Sequence, residues 1–317
     1  MNKITLSCVL CMVWSGLLSA PSDAQSSLQN DELVRKRINA AASLLSFTVV
    51  PDVTTSNLSV ASGNVNDDDV GMRLTQFGGG ATLSSDFPLY AEGTMGYSRY
   101  DPRFIVTSGE EVRSVPFRWN AFSAAGGLGW DFPLREHLVL RPILNISLGT
   151  VASDVLIGRL ILENRTGREL AFLDGGSMSF YGYGGSLMLD YEFFSDAYDM
   201  DVEARYSNIR LEPFQKDDRA VAGGASAEQL NLYFRTRIPT GMHLFERPVR
   251  VVLESAHTEF LDEQRGALGF DYLTSFGLGM EIDTSKYDIW ISRTRLVARY
   301  ITGDNTTGYS LGLAVSF

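Results

Sequence analysis

Leu268-Gly269-Phe270-Asp271-Tyr272-Leu273-Thr274-Ser275-Phe276-Gly277-Leu278-Gly279-Met280-Glu281-Ile282 is the stretch on which the fold turns. Leu268, Phe270, Tyr272, Thr274, Phe276, Leu278, Met280 and Ile282 fall on one face. Gly269, Asp271, Ser275, Gly277, Gly279 and Glu281 fall on the other, with Leu273 the exception. Side chains on a strand point alternately to its two faces, so the segment has one greasy side and one polar or small side. The pattern recurs. Tyr181, Tyr183, Leu187, Leu189, Tyr191 and Phe193 oppose Gly182, Gly184, Ser186, Asp190 and Glu192. Leu230, Leu232, Phe234, Thr236 and Ile238 oppose Asn231, Tyr233, Arg235 and Arg237 in the same way.

A soluble sandwich alternates too, so the period alone does not separate the two architectures. Length does. Strands of soluble sheets typically have about 5–6 residues, whereas a tilted strand crossing a bilayer needs about 9–11, and most of these segments are of the longer kind. Twelve are predicted, over 56–62, 70–86, 88–100, 117–131, 137–150, 177–194, 199–212, 226–239, 248–260, 266–282, 288–301 and 307–317. Short links near 87–88, 133–136, 195–198, 239–247 and 283–287 alternate with links that are mostly longer and more polar. Outer-membrane barrels have this asymmetry of short periplasmic turns and long outer loops, and an even strand count closes the sheet without an open edge.

Aromatic residues gather near strand ends. Phe87, Tyr90, Trp130, Phe132, Phe193, Phe194, Tyr198, Tyr287, Trp290 and Phe317 lie toward the periplasmic side, and Tyr97, Tyr100, Phe117, Trp119 and Tyr206 toward the other. That matches two interfacial girdles. The expected fold is all-β, a 12-stranded antiparallel up-and-down transmembrane β-barrel. An apolar stretch from Val155 to Leu173 leaves fourteen strands as the alternative. Asp86-Phe87-Pro88-Leu89 recurs as Asp131-Phe132-Pro133-Leu134, each at a predicted periplasmic turn, where proline fixes φ.

The chain has 317 residues and a formal net charge of −11, from 27 Lys+Arg against 38 Asp+Glu. Nucleic-acid binding needs a basic face, and none is present. Outside the N-terminus no apolar run approaches the ~20 residues of a transmembrane helix. Residues 1–24 read as a secretory signal peptide: Lys3 supplies the positive start, Ile4 to Ala20 is mostly apolar, and Ser22-Asp23-Ala24 is a small-x-small cleavage site. Both cysteines, Cys8 and Cys11, lie within it, so the mature chain has no disulfide framework. Residues 25–55 form an N-terminal helix and linker, and 56–317 the barrel. Asn30 caps the helix, Asp31 and Glu32 follow in its first turn, and Val34, Ile38, Ala41 and Leu45 keep helical spacing. About sixteen residues make roughly 24 Å of helix, close to the ~25 Å apolar band of a barrel. The helix fits the lumen; a cap over the periplasmic mouth is the alternative.

An N-terminal α-helix, twelve strands and a terminal aromatic after alternating apolar residues resemble the translocator barrel of autotransporters. The sequence is most similar to solitary autotransporter-like outer-membrane barrels, which carry no passenger; only about thirty residues precede the first strand. The resemblance implies insertion by the barrel-assembly machinery, with Tyr309, Leu311, Leu313, Val315 and Phe317 as the assembly signal. It brings no catalytic residue and no cofactor.

Projecting the strands puts many charges on the lumen face. The bases are Arg141, Arg205, Arg235, Arg237, Arg250, Arg293, Arg295 and Arg299, and the acids include Glu92, Asp190, Glu192, Asp201, Glu203, Glu254, Asp271 and Glu281. A charge on the lipid face costs about 2–4 kcal/mol at mid-membrane, which forces them inward. Arg205 and Glu203 are expected near Arg235 and Arg237, which in turn face Arg250 and Glu254. Mixed signs favour an ion-pair network that packs the lumen over a selectivity ring. Of the three histidines, His137 and His243 fall at periplasmic turns, and His257 lies near the extracellular end of its strand beside Glu254, Thr258 and Glu259. No nucleophile motif accompanies His257, and no His/Cys cluster has metal-ligand spacing. Asp67-Asp68-Asp69 reads as a solvated loop more than as a cation site. The expectation is therefore a non-enzymatic monomer without metal, surrounded by outer-membrane lipid and lipopolysaccharide. Its lumen is closed by helix and charges, and its role is structural, surface-interactive or translocation-assisting. The alternative is a porin-like passive diffusion channel for small solutes.

Overall fold

The computed structural model describes residues 55–62, 70–101, 103–108, 111–116, 119–153, 177–214, 225–266, 270–283, 293–304 and 306–316. The expected signal peptide, the expected helix within 25–55, Asp67 to Asp69 and Phe317 lie outside them. The strands are β1 (Thr55–Ser62), β2 (Val70–Thr82), β3 (Leu89–Asp101), β4 (Arg103–Ser108), β5 (Glu111–Pro116), β6 (Trp119–Trp130), β7 (Phe132–Arg135) and β8 (Leu138–Ser153). They continue with β9 (Ser177–Phe194), β10 (Asp199–Pro213), β11 (Ala225–Leu244), β12 (Arg247–Leu261), β13 (Tyr272–Asp283), β14 (Arg293–Gly303) and β15 (Thr306–Ser316).

Twelve of these form one ring, in the order β1-β2-β3-β6-β8-β9-β10-β11-β12-β13-β14-β15, and β15 pairs back with β1. Every pairing is antiparallel, so no ring strand keeps an open edge. β8 pairs directly with β9, from Leu138↔Tyr191 to Ala152↔Ser177. No strand stands between them in the ring, which among the described residues has twelve strands and not fourteen. β4 and β5 make a separate hairpin in the link between β3 and β6, where the sequence suggested a plain polar loop. β7 is a short extension paired with the start of β8.

Two segments depart from the sequence expectation. β11 does not stop at Pro239 but runs to Leu244 through a register shift between Pro239 and His243. Proline has no N–H for the ladder, so the break falls there and pairing resumes beyond it. At the other end, β13 begins only at Tyr272, so Phe270 and Asp271 do not join it. Phe270 is buried, its ring 5.8 Å from that of Phe260, instead of facing lipid. Beyond the last ladder pair, Glu259↔Tyr272, alternation no longer dictates where a side chain points.

The barrel is apolar outside and polar inside. Leu144 is 76% exposed, Ile146 69% and Leu278 62%, while the intervening Asn145 and the nearby Glu281 are 2% exposed. A soluble protein could not sustain such an outer surface, whereas a barrel in lipid requires it. The wall spans a membrane. Its short turns, 83–88, 136–137, 195–198 and 245–246, lie at one end, the end that the sequence expects to face the periplasm. Phe87 stacks edge-on to Trp130 there, and Phe193 packs against Tyr198. Tyr300 and Tyr309 pair on the outer surface toward the other end, as do Tyr181 and Tyr183.

Candidate functional site

The chemistry of this molecule lies in its lumen, where two groups of charges form. The first crosses the barrel. Glu92 on β3 accepts both Nη groups of Arg205 on β10, at 2.8 and 2.7 Å. The ring order places β6, β8 and β9 between those two strands, so the pair bridges the interior rather than lying along one wall. Asn145 on β8 donates to Glu92 at 2.8 Å, and Ser186 on β9 donates to Asn145 at 2.6 Å. Arg205 reaches Ser186 at 3.0 Å and Ser207 at 3.2 Å. Gly127 on the intervening β6 makes this possible. A Cβ there would sit 2.6 Å from Glu92 Oε1 and 2.7 Å from Asn145 Nδ2.

The second group lies on β10 to β14. Asp201 accepts from Arg235 at 2.7 Å and from Arg237 at 3.3 Å, and Asp199 pairs with Arg250. Glu254 takes Arg299 at 2.6 Å and Arg295 at 3.5 Å. Glu281 lies within 3.9–4.0 Å of Arg237, Arg250, Arg293 and Arg295. Six guanidinium groups thus meet four carboxylates on adjacent strands.

The structure brings together most of the residues projected onto the lumen but pairs them differently. Arg205 sits opposite Asn231 and Glu203 opposite Tyr233. The arginines of β11 therefore take Asp201, while Arg205 turns across the lumen to Glu92. Asp271 leaves the network altogether. It lies in the loop before β13, bonded to Arg265 at 2.9 Å, because the strand starts one residue later. Asp131 and Asp199 were missed. Each continues the inward parity of its strand, 127-129-131 and 199-201-203, and that parity was the available signal.

Asp131 belongs to a periplasmic cluster built on Arg141. Arg141 pairs with Asp131 and with Asp190 at 3.0 Å, and its guanidinium stands 4.0 Å over the Tyr90 ring. Asp131 lies between the end of β6 and the start of β7, outside both strands. Burial pushes its carboxyl upward, but the hydrogen bonds from Arg141 and Thr82 outweigh this and hold it below the usual carboxylate range. A cavity of about 550 Å³ opens beside this cluster.

Of the expected assembly signal, Tyr309, Leu311 and Leu313 are exposed on the outer face. Phe317 and the side chain of Val315 lie outside the described residues. His257 also faces outward. Its Nδ1 is 2.8 Å from Thr274 Oγ1, its cross-strand neighbour, and its Nε2 is 3.7 Å from Glu259. His137 stacks edge-on to Phe193 at 5.4 Å beside its turn, and His243 is paired with Pro248 near the end of β11.

No family model matches the chain, and no curated protein does. Solved structures do. The transport unit of the autotransporter AIDA-I from Escherichia coli is similar at 12% identity and TM-score 0.48, over 89% of this chain and 98% of that one. The β domain of the Bordetella autotransporter BrkA is similar at 13% identity and TM-score 0.46, over 84% and 100%. The translocator domain of the autotransporter NalP from Neisseria meningitidis is similar at 12% and 0.42, over 92% and 98%. Porins are among the matched structures as well. The chain is an outer-membrane-type β-barrel. What it does has to be read from its own side chains.

Proposed function

We propose that this barrel resides in the outer membrane of a Gram-negative cell and keeps its lumen closed with its own charged side chains. It then serves as a translocator-type or surface-interactive barrel rather than an open pore or an enzyme. The observation that carries the reading is the Glu92–Arg205 bridge between strands four places apart in the ring, with the side chain of Glu92 1% exposed and that of Arg205 6%. A carboxylate and a guanidinium held bidentate across the interior take up space that a solute would need. The mixed signs on β10 to β14 support the same reading, because a selectivity ring would carry mostly one sign. The absence of a nucleophile motif beside His257 argues against hydrolysis.

Single-channel conductance of the folded protein in a planar bilayer tests the closure. The expected record is silence or rare flickering, with steady openings appearing in an Arg205→Ala, Glu92→Ala double variant. Steady ohmic openings of the unaltered barrel that scale with salt overturn it. They favour the second reading, a diffusion channel for small solutes, which the cavity of about 550 Å³ at the periplasmic end recommends. Deleting residues 25–50 is the companion experiment: a rise in conductance assigns that segment a share of the closure.

A further inference from the structure

We infer that the periplasmic mouth of the barrel is a binding site for an organic cation carrying more than one amine. The cavity of about 550 Å³ is lined by parts of β2, β3, β8, β9, β10 and β11 and by the 136–137 turn. Five carboxylates and three guanidinium groups face it, but the guanidinium groups are already engaged. Arg205 is held by Glu92 and Arg235 by Asp201, and neither of those carboxylates belongs to the cavity lining. Arg141 serves Asp131 and one oxygen of Asp190. The charge left over inside is therefore negative.

A second observation points to a donor ligand. The Asp190 side chain is only 9% exposed, and its Oδ1 has no hydrogen-bond partner although the residue lines the cavity. A buried carboxylate oxygen without a donor is costly, and a bound ammonium group would supply one. Nearer the mouth, the exposed Glu136 and Glu192 enter no ion pair among the described residues and line the same space. Three unmatched acceptors thus run from the rim inward.

The spacing of these groups selects the class of ligand. Among the described residues, no group of three or more His, Cys, Asp and Glu is placed to hold a metal ion. The carboxylates are spread over the wall and not gathered round one point. A flexible chain with separated ammonium groups can reach them in turn, and Tyr90, Met188 and Phe194 offer apolar surface to its methylenes. A single small cation cannot use both. The site depends on the barrel fold but not on whether the lumen conducts, and it is tested by a measurement that reads no current.

Spermidine titrated calorimetrically into the full mature chain, folded in detergent micelles, is the probe. The expected result is saturable, salt-sensitive binding. A Glu136→Gln, Glu192→Gln double variant should weaken it at least about tenfold, the size expected for losing charge-assisted contacts. Both positions are exposed, so that variant keeps the buried network, and heat-modifiable migration verifies its fold. Glu212→Gln, near the opposite end on the outer surface, should leave binding unchanged. Absence of saturable binding overturns the inference. So does binding that survives the double variant, or complete displacement by Mg²⁺ at equal charge, which would mark a diffuse acidic surface.

Discussion

At the scale of single residues, Gly127 decides more than any charged group. It is the gap in β6 over which Glu92 leans to meet Asn145 and Arg205. A Gly127→Val substitution fills that gap and displaces the carboxylate from its partners. Breaking a buried ion pair costs about 3–5 kcal/mol, because one charge is left uncompensated. Glu92→Gln should lose at least as much, since it leaves the buried Arg205 charge with no counter-charge, whereas the valine displaces the carboxylate without removing it. Urea unfolding midpoints of the two variants, measured in the same micelle, check the order. A Gly127→Val barrel as stable as the parent would remove the bridge from the account of how the interior packs. The pH dependence belongs to Asp131. Its carboxyl is held below the ordinary range, so its contribution is present above the unfolded value and is lost as pH falls through the lowered folded value. Asp131→Asn should abolish that part of the acid sensitivity, as read from unfolding midpoints between about pH 5 and pH 3.

At the scale of elements, the β11–β12 hairpin is unusual in its turn. Phe245 and Glu246 have φ of 53° and 62°, both in the left-handed region. Two-residue hairpins favour this geometry because its twist matches that of the strands, but glycine and asparagine adopt it with far less strain than Phe or Glu. A left-handed residue of ordinary type costs roughly 1–2 kcal/mol. Phe245→Asn combined with Glu246→Gly should therefore raise the unfolding midpoint by an amount of that order, and an unchanged or lower midpoint would show that the strain is relieved elsewhere. Nothing in the alternation of β11 announced this turn. The pattern weakens at Pro239, and only the pairing of His243 with Pro248 and of Leu244 with Arg247 shows that the strand resumes.

At the scale of the whole molecule, the barrel is an inverted protein. Its stability in lipid depends on depth as much as on side-chain type. Arginine at Leu278, outward on β13, should cost about 2–4 kcal/mol, whereas arginine at Thr307, outward near the extracellular rim, should cost about 0–1. Folding yields into vesicles compare the two directly. Equal yields would mean that Leu278 does not lie at the depth its place in the strand implies. Closure also determines which walls face one another. β3 comes within reach of β10 only because the ring is complete through β6, β8 and β9, and that reach underlies both the proposed closure and the amine site at the periplasmic mouth.

The two copies of Asp-Phe-Pro-Leu show where sequence reading reached its limit. The first occupies a turn, as its proline predicted, but the second runs from Asp131 into the short β7, with the turn falling after it at 136–137; the two touch, Asp131 N donating to Pro88 O at 2.9 Å. Yet Asp86 is exposed, while Asp131 is buried and bonded to Arg141. Period-two alternation, strand length and turn chemistry depend on neighbours along the chain, so the sequence alone determined an all-β barrel, its apolar exterior, its charged interior and the places of most strands. The partners of each charge depend on register between strands and on which walls the closed ring sets opposite each other. Those are long-range properties. Only the tertiary structure could join Arg205 to Glu92, bury one aspartate of a repeated motif and leave a pocket with an unmatched carboxylate at the mouth.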